Sequence, residues 1–60
     1  MIQYYINNRP VPRAIARHHL LDCLPLYWDD EINKLLNKAI KNNLYAIKLC
    51  ADCGVLVAKI

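Results

Sequence analysis

Trp28, Ile32, Leu35, Leu36, Ala39 and Ile40 recur at intervals of three and four, and no other stretch of this chain is so tightly specified. That spacing lines one face of an α-helix with apolar side chains. It predicts a helix over residues 29–42, with Trp28 as its anchor in the core. Asp29 is placed to cap the start. Asp30 and Glu31 fall in the first turn, and Lys34, Lys38 and Lys41 follow, the charge order that suits the helix dipole. Asn42-Asn43 reads as the stop.

The flanking segments are less regular. Ile2-Gln3-Tyr4-Tyr5-Ile6 is rich in strand formers. Asn7-Asn8 supplies residues that tolerate a tight turn. Arg9-Pro10-Val11-Pro12 then holds two prolines in three residues, which bars it from a central strand. An extended leg folding back on the first strand is the expectation. Pro12 suits the opening of a helix. Ala14, Ala16, Leu20, Leu21 and Leu24 favour that helix over residues 13–24, and Pro25 ends it.

Residues 44–60 admit two readings. As strands, Tyr45, Ile47 and Leu49 alternate with Ala46, Lys48 and Cys50, and a second alternation runs from Val55 to Ile60. The piece between, ending in Gly54, reads as a turn. As a helix, Ile40, Leu44, Ile47, Ala51, Val55 and Ala58 also keep helical spacing, and Gly54 costs a helix only about 1 kcal/mol. The Val, Ile and Tyr content favours the hairpin. The expected fold is α+β in a single domain, residues 1–60: a short N-terminal strand, two antiparallel helices and a C-terminal β-hairpin. The alternative is a mostly α fold whose tail extends the second helix.

Sixty residues bury a thin core, so a chain of this size often leans on a metal, a disulfide or a second copy. A hydrophobic share of 57% excludes a disordered tail, and a homodimer is the default expectation. No apolar run approaches the roughly 20 residues of a membrane span, and the N-terminus lacks the pattern of a signal peptide. A cytoplasmic protein without membrane contact is expected. Three cysteines in a reducing compartment argue against a disulfide framework.

Cys50-Ala51-Asp52-Cys53-Gly54 is the most informative string. Two thiolates two residues apart can hold one tetrahedral metal from a tight turn, and the glycine frees the backbone there. With strands on both sides this piece resembles the zinc knuckle of zinc ribbons and rubredoxin-like sites, over some fifteen residues. A structural zinc needs four ligands. His19 and Cys23, spaced i, i+4, share one face of the first helix. A Cys3His site of His19, Cys23, Cys50 and Cys53 follows, with His18 as the substitute if the register differs. The competing reading has all three thiols reduced and buried, and it carries more weight because one knuckle supplies only two ligands.

The net charge of +3 is concentrated early, since Arg9, Arg13, Arg17, His18 and His19 all precede the first acid, Asp22. Arginines at four-residue intervals offer a phosphate-binding stripe, against the plainer reading of a solvated helix face. The order strand, helix, helix also resembles ribbon-helix-helix DNA-binding proteins. In these the strand pairs with its twin and enters the major groove. Here Gln3 alone in Gln3-Tyr4-Tyr5 suits a base contact. Tyr4 and Tyr5 read as sheet-edge packing or as an interface.

No catalytic set is present. Serine and threonine are absent, and the single glycine excludes a phosphate-cradling loop. Cys23 and His19 lie on one helix without an evident oxyanion hole. The expected function is a small non-enzymatic binding or regulatory module acting through a protein partner, with a structural zinc as its staple. Two alternatives remain: a nucleic-acid-binding module using the arginine stripe, and a structural or oligomerisation unit.

Overall fold

The computed structural model describes all residues 1–60. Strand β1 (Ile2–Ile6) turns through Asn7 and Asn8 into β2 (Arg9–Val11). Both asparagines adopt positive φ, 50° and 70°, the geometry that matches the twist of a two-residue hairpin. The strands pair antiparallel with Tyr4 opposite Val11, Tyr5 opposite Pro10 and Ile6 opposite Arg9. Pro10 sits on an edge strand, where its missing N–H costs no ladder bond.

Helix α1 (Arg13–Cys23) starts directly from Pro12 and stops at Leu24, whose N–H donates to Leu20 O at 2.8 Å. Helix α2 (Asp29–Ile40) follows a five-residue link. Trp28, rather than Asp29, occupies the cap position, and its N–H donates to Glu31 Oε1 at 3.2 Å. Ile32, Leu35, Leu36 and Ala39 are buried as the periodicity predicts. Trp28 is not their anchor: it is 77% exposed. Its extended backbone, φ −89° and ψ 165°, places it outside the helical repeat that the apolar stripe obeys.

The tail settles between the two readings of the sequence. Its first half is helix α3 (Leu44–Asp52) and its second half is strand β3 (Val55–Lys59). The asparagine pair explains the helix. Asn42 takes φ 64°, and the N–H groups of Asn42 and Asn43 donate to Ala39 O and Lys38 O at 3.1 and 3.0 Å. That is the left-handed stop of a Schellman motif. Asn43 Oδ1 then accepts from Ala46 N–H at 3.0 Å, which caps the new helix. One residue ends α2 and the next begins α3, so the alternation from Tyr45 to Cys50 never becomes the first arm of a hairpin.

Gly54 turns the chain out of α3 at φ 80°. Its carbonyl accepts from Asn7 N–H at 3.1 Å, which docks the turn against the β1–β2 hairpin. Strand β3 pairs antiparallel with β1, from Ile2 opposite Lys59 to Ile6 opposite Val55. The sheet order is β2-β1-β3, with the first strand in the centre. The fold is α+β, with an N-terminal strand and a C-terminal strand in one antiparallel sheet.

The register puts Tyr4 between Val11 and Val57 on the face toward the helices. Tyr5 lies between Pro10 and Leu56 on the opposite face. Helix α2 packs against α1, α3 and β3, and α1 against β1. The core holds eleven residues, none charged, with Leu20, Ile32 and Leu36 wholly enclosed. Each of these contributes about 1.5–3 kcal/mol by burial, so so small a core depends on every one of them. No helix is long and apolar enough to cross a membrane.

Candidate functional site

The four residues expected to bind zinc lie on α1 and at the end of α3, which touch at His19 and Cys53. Cys23 closes α1 and is exposed, whereas Cys50 and Cys53 occupy the last turn of α3 and its cap and are buried. His19, one turn before Cys23, donates from Nε2 to the Cys53 carbonyl at 2.8 Å. Cys23 and Cys50 are the neighbouring thiols that act on Cys53. Burial pushes Cys50 up to about 11. Burial first, then the neighbouring Cys23, pushes Cys53 up to about 12. Both are therefore protonated thiols near neutral pH.

The predicted knuckle between two strands is not formed. Cys50 and Cys53 belong to a helix end, and Gly54 serves as the residue after its cap. No three His, Cys, Asp or Glu side chains are arranged to hold a metal ion, and one ring nitrogen of His19 is committed to a carbonyl. His18, the substitute, is well exposed and faces Asp22 at 3.9 Å.

Arg13 and Arg17 lie one turn apart on α1, and both side chains are engaged within the fold. Arg13 Nη1 donates to Tyr4 Oη at 2.7 Å, and Nη2 reaches Asn37 Oδ1 at 3.0 Å and Asn33 O at 3.4 Å. Arg17 Nη1 pairs with Asp29 Oδ1 at 2.9 Å. These two tie α1 to β1 and to both halves of α2. Only Arg9, exposed on β2, lacks such a partner. A phosphate-binding role for Arg13 and Arg17 requires breaking bonds that hold the fold.

A second surface escaped the sequence reading. Leu26 is 89% exposed and Trp28 77%, both on the link between α1 and α2. Beside them a groove of about 340 Å³ runs between α2 and α3, lined by Tyr27, Glu31, Lys34, Leu35, Lys38 and Tyr45. The neighbouring Tyr45, then burial and the Glu31 charge, hold Tyr27 above its ordinary pKa. Lys34 and Lys38 are one turn apart on α2, so the groove joins an apolar floor and aromatic end to a basic flank. Nothing in the sequence pointed to it: Trp28 keeps the spacing of the buried stripe, and the groove forms only where α3 lies beside α2.

No family model, no curated protein and no solved structure matches the chain.

Proposed function

We propose that this chain is a non-enzymatic module that binds an acidic, amphipathic helix of a protein partner in the groove between α2 and α3. The observation that carries the reading is the exposure of Trp28. A chain with a thin core and a single tryptophan leaves that tryptophan in solvent, next to an exposed leucine and a tyrosine-lined groove. Tryptophan and tyrosine are the residues that dominate binding energy at protein interfaces, and contiguous exposed apolar surface marks such sites.

The chemistry of the groove selects the occupant. Leu35 and the rings of Tyr27 and Tyr45 take apolar side chains spaced along one helical face. Lys34 and Lys38 favour acidic side chains flanking that face. Glu31 disfavours an acidic group at the other end, which sets the direction in which a helix lies.

The test is a titration of isotope-labelled full chain with a synthetic helix carrying leucine at i, i+3, i+4 and i+7 and glutamate elsewhere. Amide shifts are expected at Lys34, Leu35, Lys38 and Tyr45, with a change in Trp28 fluorescence. Trp28→Ala and Lys38→Glu should each weaken binding by about tenfold or more. Absence of shifts in the groove, or binding untouched by both substitutions, rejects the reading. Burial of the same surface in a second copy at working concentration also rejects it.

A further inference from the structure

We propose that the groove between α2 and α3 fixes the direction of its occupant. The acidic end of the partner helix lies beside Lys38 and Lys41, and its basic end lies beside Asp30 and Glu31. A helix with acids in its first turn and bases in its last therefore lies antiparallel to α2. This direction presupposes that the groove receives a helix, as proposed above. What it adds is a basic end to the partner and the order of charge along it.

Charge is segregated along α2. Asp29, Asp30 and Glu31 form its first turn, and Lys34, Lys38 and Lys41 follow. Glu31, Lys34 and Lys38 line the groove and are exposed, as is Lys41 just past the helix end. The ion pairs of the fold are Arg17–Asp29 and His18–Asp22, so none of these lysines is neutralised within the chain, nor is Glu31. The Trp28 N–H donates to Glu31 Oε1, which holds the carboxylate at the start of α2. Helix α3 adds to the asymmetry. It begins three residues after Lys41, at Leu44, and has no acidic residue in its first turn. The partial positive charge of its N-terminus thus falls at the lysine end of α2.

Helices place acids near the N-terminus and Lys or Arg near the C-terminus, where the dipole favours them. Laid antiparallel to α2, such a helix meets opposite charge at both ends of the groove. Laid parallel, it meets like charge at both, which weakens docking and selects against that direction. The spacing is also set. Lys38 and Lys41 stand seven and ten residues beyond Glu31. At the helical rise they lie about 10–15 Å further along the axis. The partner's acids and bases should therefore stand about two to three turns apart. Between them, apolar side chains cover Leu35 and the rings of Tyr27 and Tyr45.

The experiment titrates isotope-labelled full chain with three synthetic helices, side-chain stapled so that all are equally helical. All carry leucine at i, i+3, i+4 and i+7. One has glutamates in the first turn and lysines in the last, one has the reverse, and one has glutamates at both ends. A nitroxide at the N-terminus of the first should broaden the amides of Lys38, Lys41 and Tyr45. The same label on the second should broaden Trp28 and Glu31 instead. The third should bind about threefold or more weakly than the first, and added salt should narrow that gap. Glu31→Gln keeps an acceptor for the Trp28 N–H and should narrow it too. Broadening at both ends alike, or a gap that ignores both salt and Glu31→Gln, overturns the assigned direction and leaves the groove as a docking surface. Absence of groove shifts with all three helices overturns the docking surface as well.

Discussion

The phenol of Tyr4 accepts a hydrogen bond from Arg13 at 2.7 Å, with the guanidinium carbon 5.8 Å from the ring centroid. Tyr4 is the buried residue of the central strand, and Arg13 is the first residue of α1. The pair thus joins sheet to helix at the point where the chain leaves the hairpin. A hydrogen bond from a charged donor contributes about 1.5–3 kcal/mol. Tyr4→Phe keeps the ring and removes the acceptor, while Asn37 continues to hold Arg13. The expected loss is about 1–2 kcal/mol in urea unfolding. Arg13→Met should cost at least as much, and the two costs should fall short of additive in the double variant. Additive losses would show the contact to be energetically silent.

Asn43 is expected to be worth more than its exposure suggests. Replacing it with alanine removes the only side-chain cap in the fold that a helix residue donates to, at a cost of about 1 kcal/mol. Asn42→Gly should be neutral or slightly stabilising, because φ 64° is a conformation glycine adopts freely. Circular dichroism melts of the two variants check this. A larger loss from Asn42→Gly than from Asn43→Ala would contradict the assignment of stop and cap.

Gly54→Ala is expected to destabilise by about 1–2 kcal/mol. Its φ of 80° lies where an L side chain is strained. The added Cβ also meets Asn7 Oδ1 at 3.0 Å. That oxygen ends a flexible side chain and can move, so the backbone strain dominates. Pairing the change with Asn7→Gly should therefore recover only part of the loss in a denaturant titration. Full recovery would assign the cost to the contact instead.

Trp28→Ala should leave stability within about 0.5 kcal/mol of the parent, as expected for a surface position without a structural partner. Leu36→Ala, at a wholly enclosed position, should cost about 2–5 kcal/mol. Equal losses in urea unfolding would return Trp28 to the core and remove the basis for the proposed docking surface.

These positions also show what the sequence discloses. Local rules sufficed where they acted alone: the Asn7-Asn8 turn, Pro10 on the edge strand, the end of α1 before Pro25 and the buried stripe from Ile32 to Ala39. The tail carried two periods at once. The choice fell to Asn43, whose side chain serves as a cap only because Asn42 has already stopped α2. Trp28 misled because it continues the spacing of the stripe on paper while its backbone lies outside the helix. The contact of His19 with the Cys53 carbonyl agrees with the fold-back expected at Gly54, although that turn follows a helix rather than a strand. The groove was not legible, since it exists only where α3 lies beside α2.

Burial of the cysteines predicts a loss of stability in alkali. The Cys50 thiol stays protonated in the folded chain until about pH 11, against an ordinary value of 9.0. Below pH 9 both folded and unfolded chains hold the proton, and stability does not change on this account. Above pH 9 the unfolded chain ionises while the folded one does not, so stability falls until the folded thiol also ionises. The gap between 9.0 and about 11 is worth on the order of 3 kcal/mol, and Cys53 acts in the same direction. The informative quantity is a difference between the parent and a variant that lacks the thiol. With reductant present, the cost of Cys50→Ala in urea unfolding should be constant from pH 7 to pH 9 and shrink steadily toward pH 11. A cost that stays level across the whole range would mean that the Cys50 thiol ionises as readily in the folded chain as in the unfolded one. It would then no longer count as a shielded member of the core.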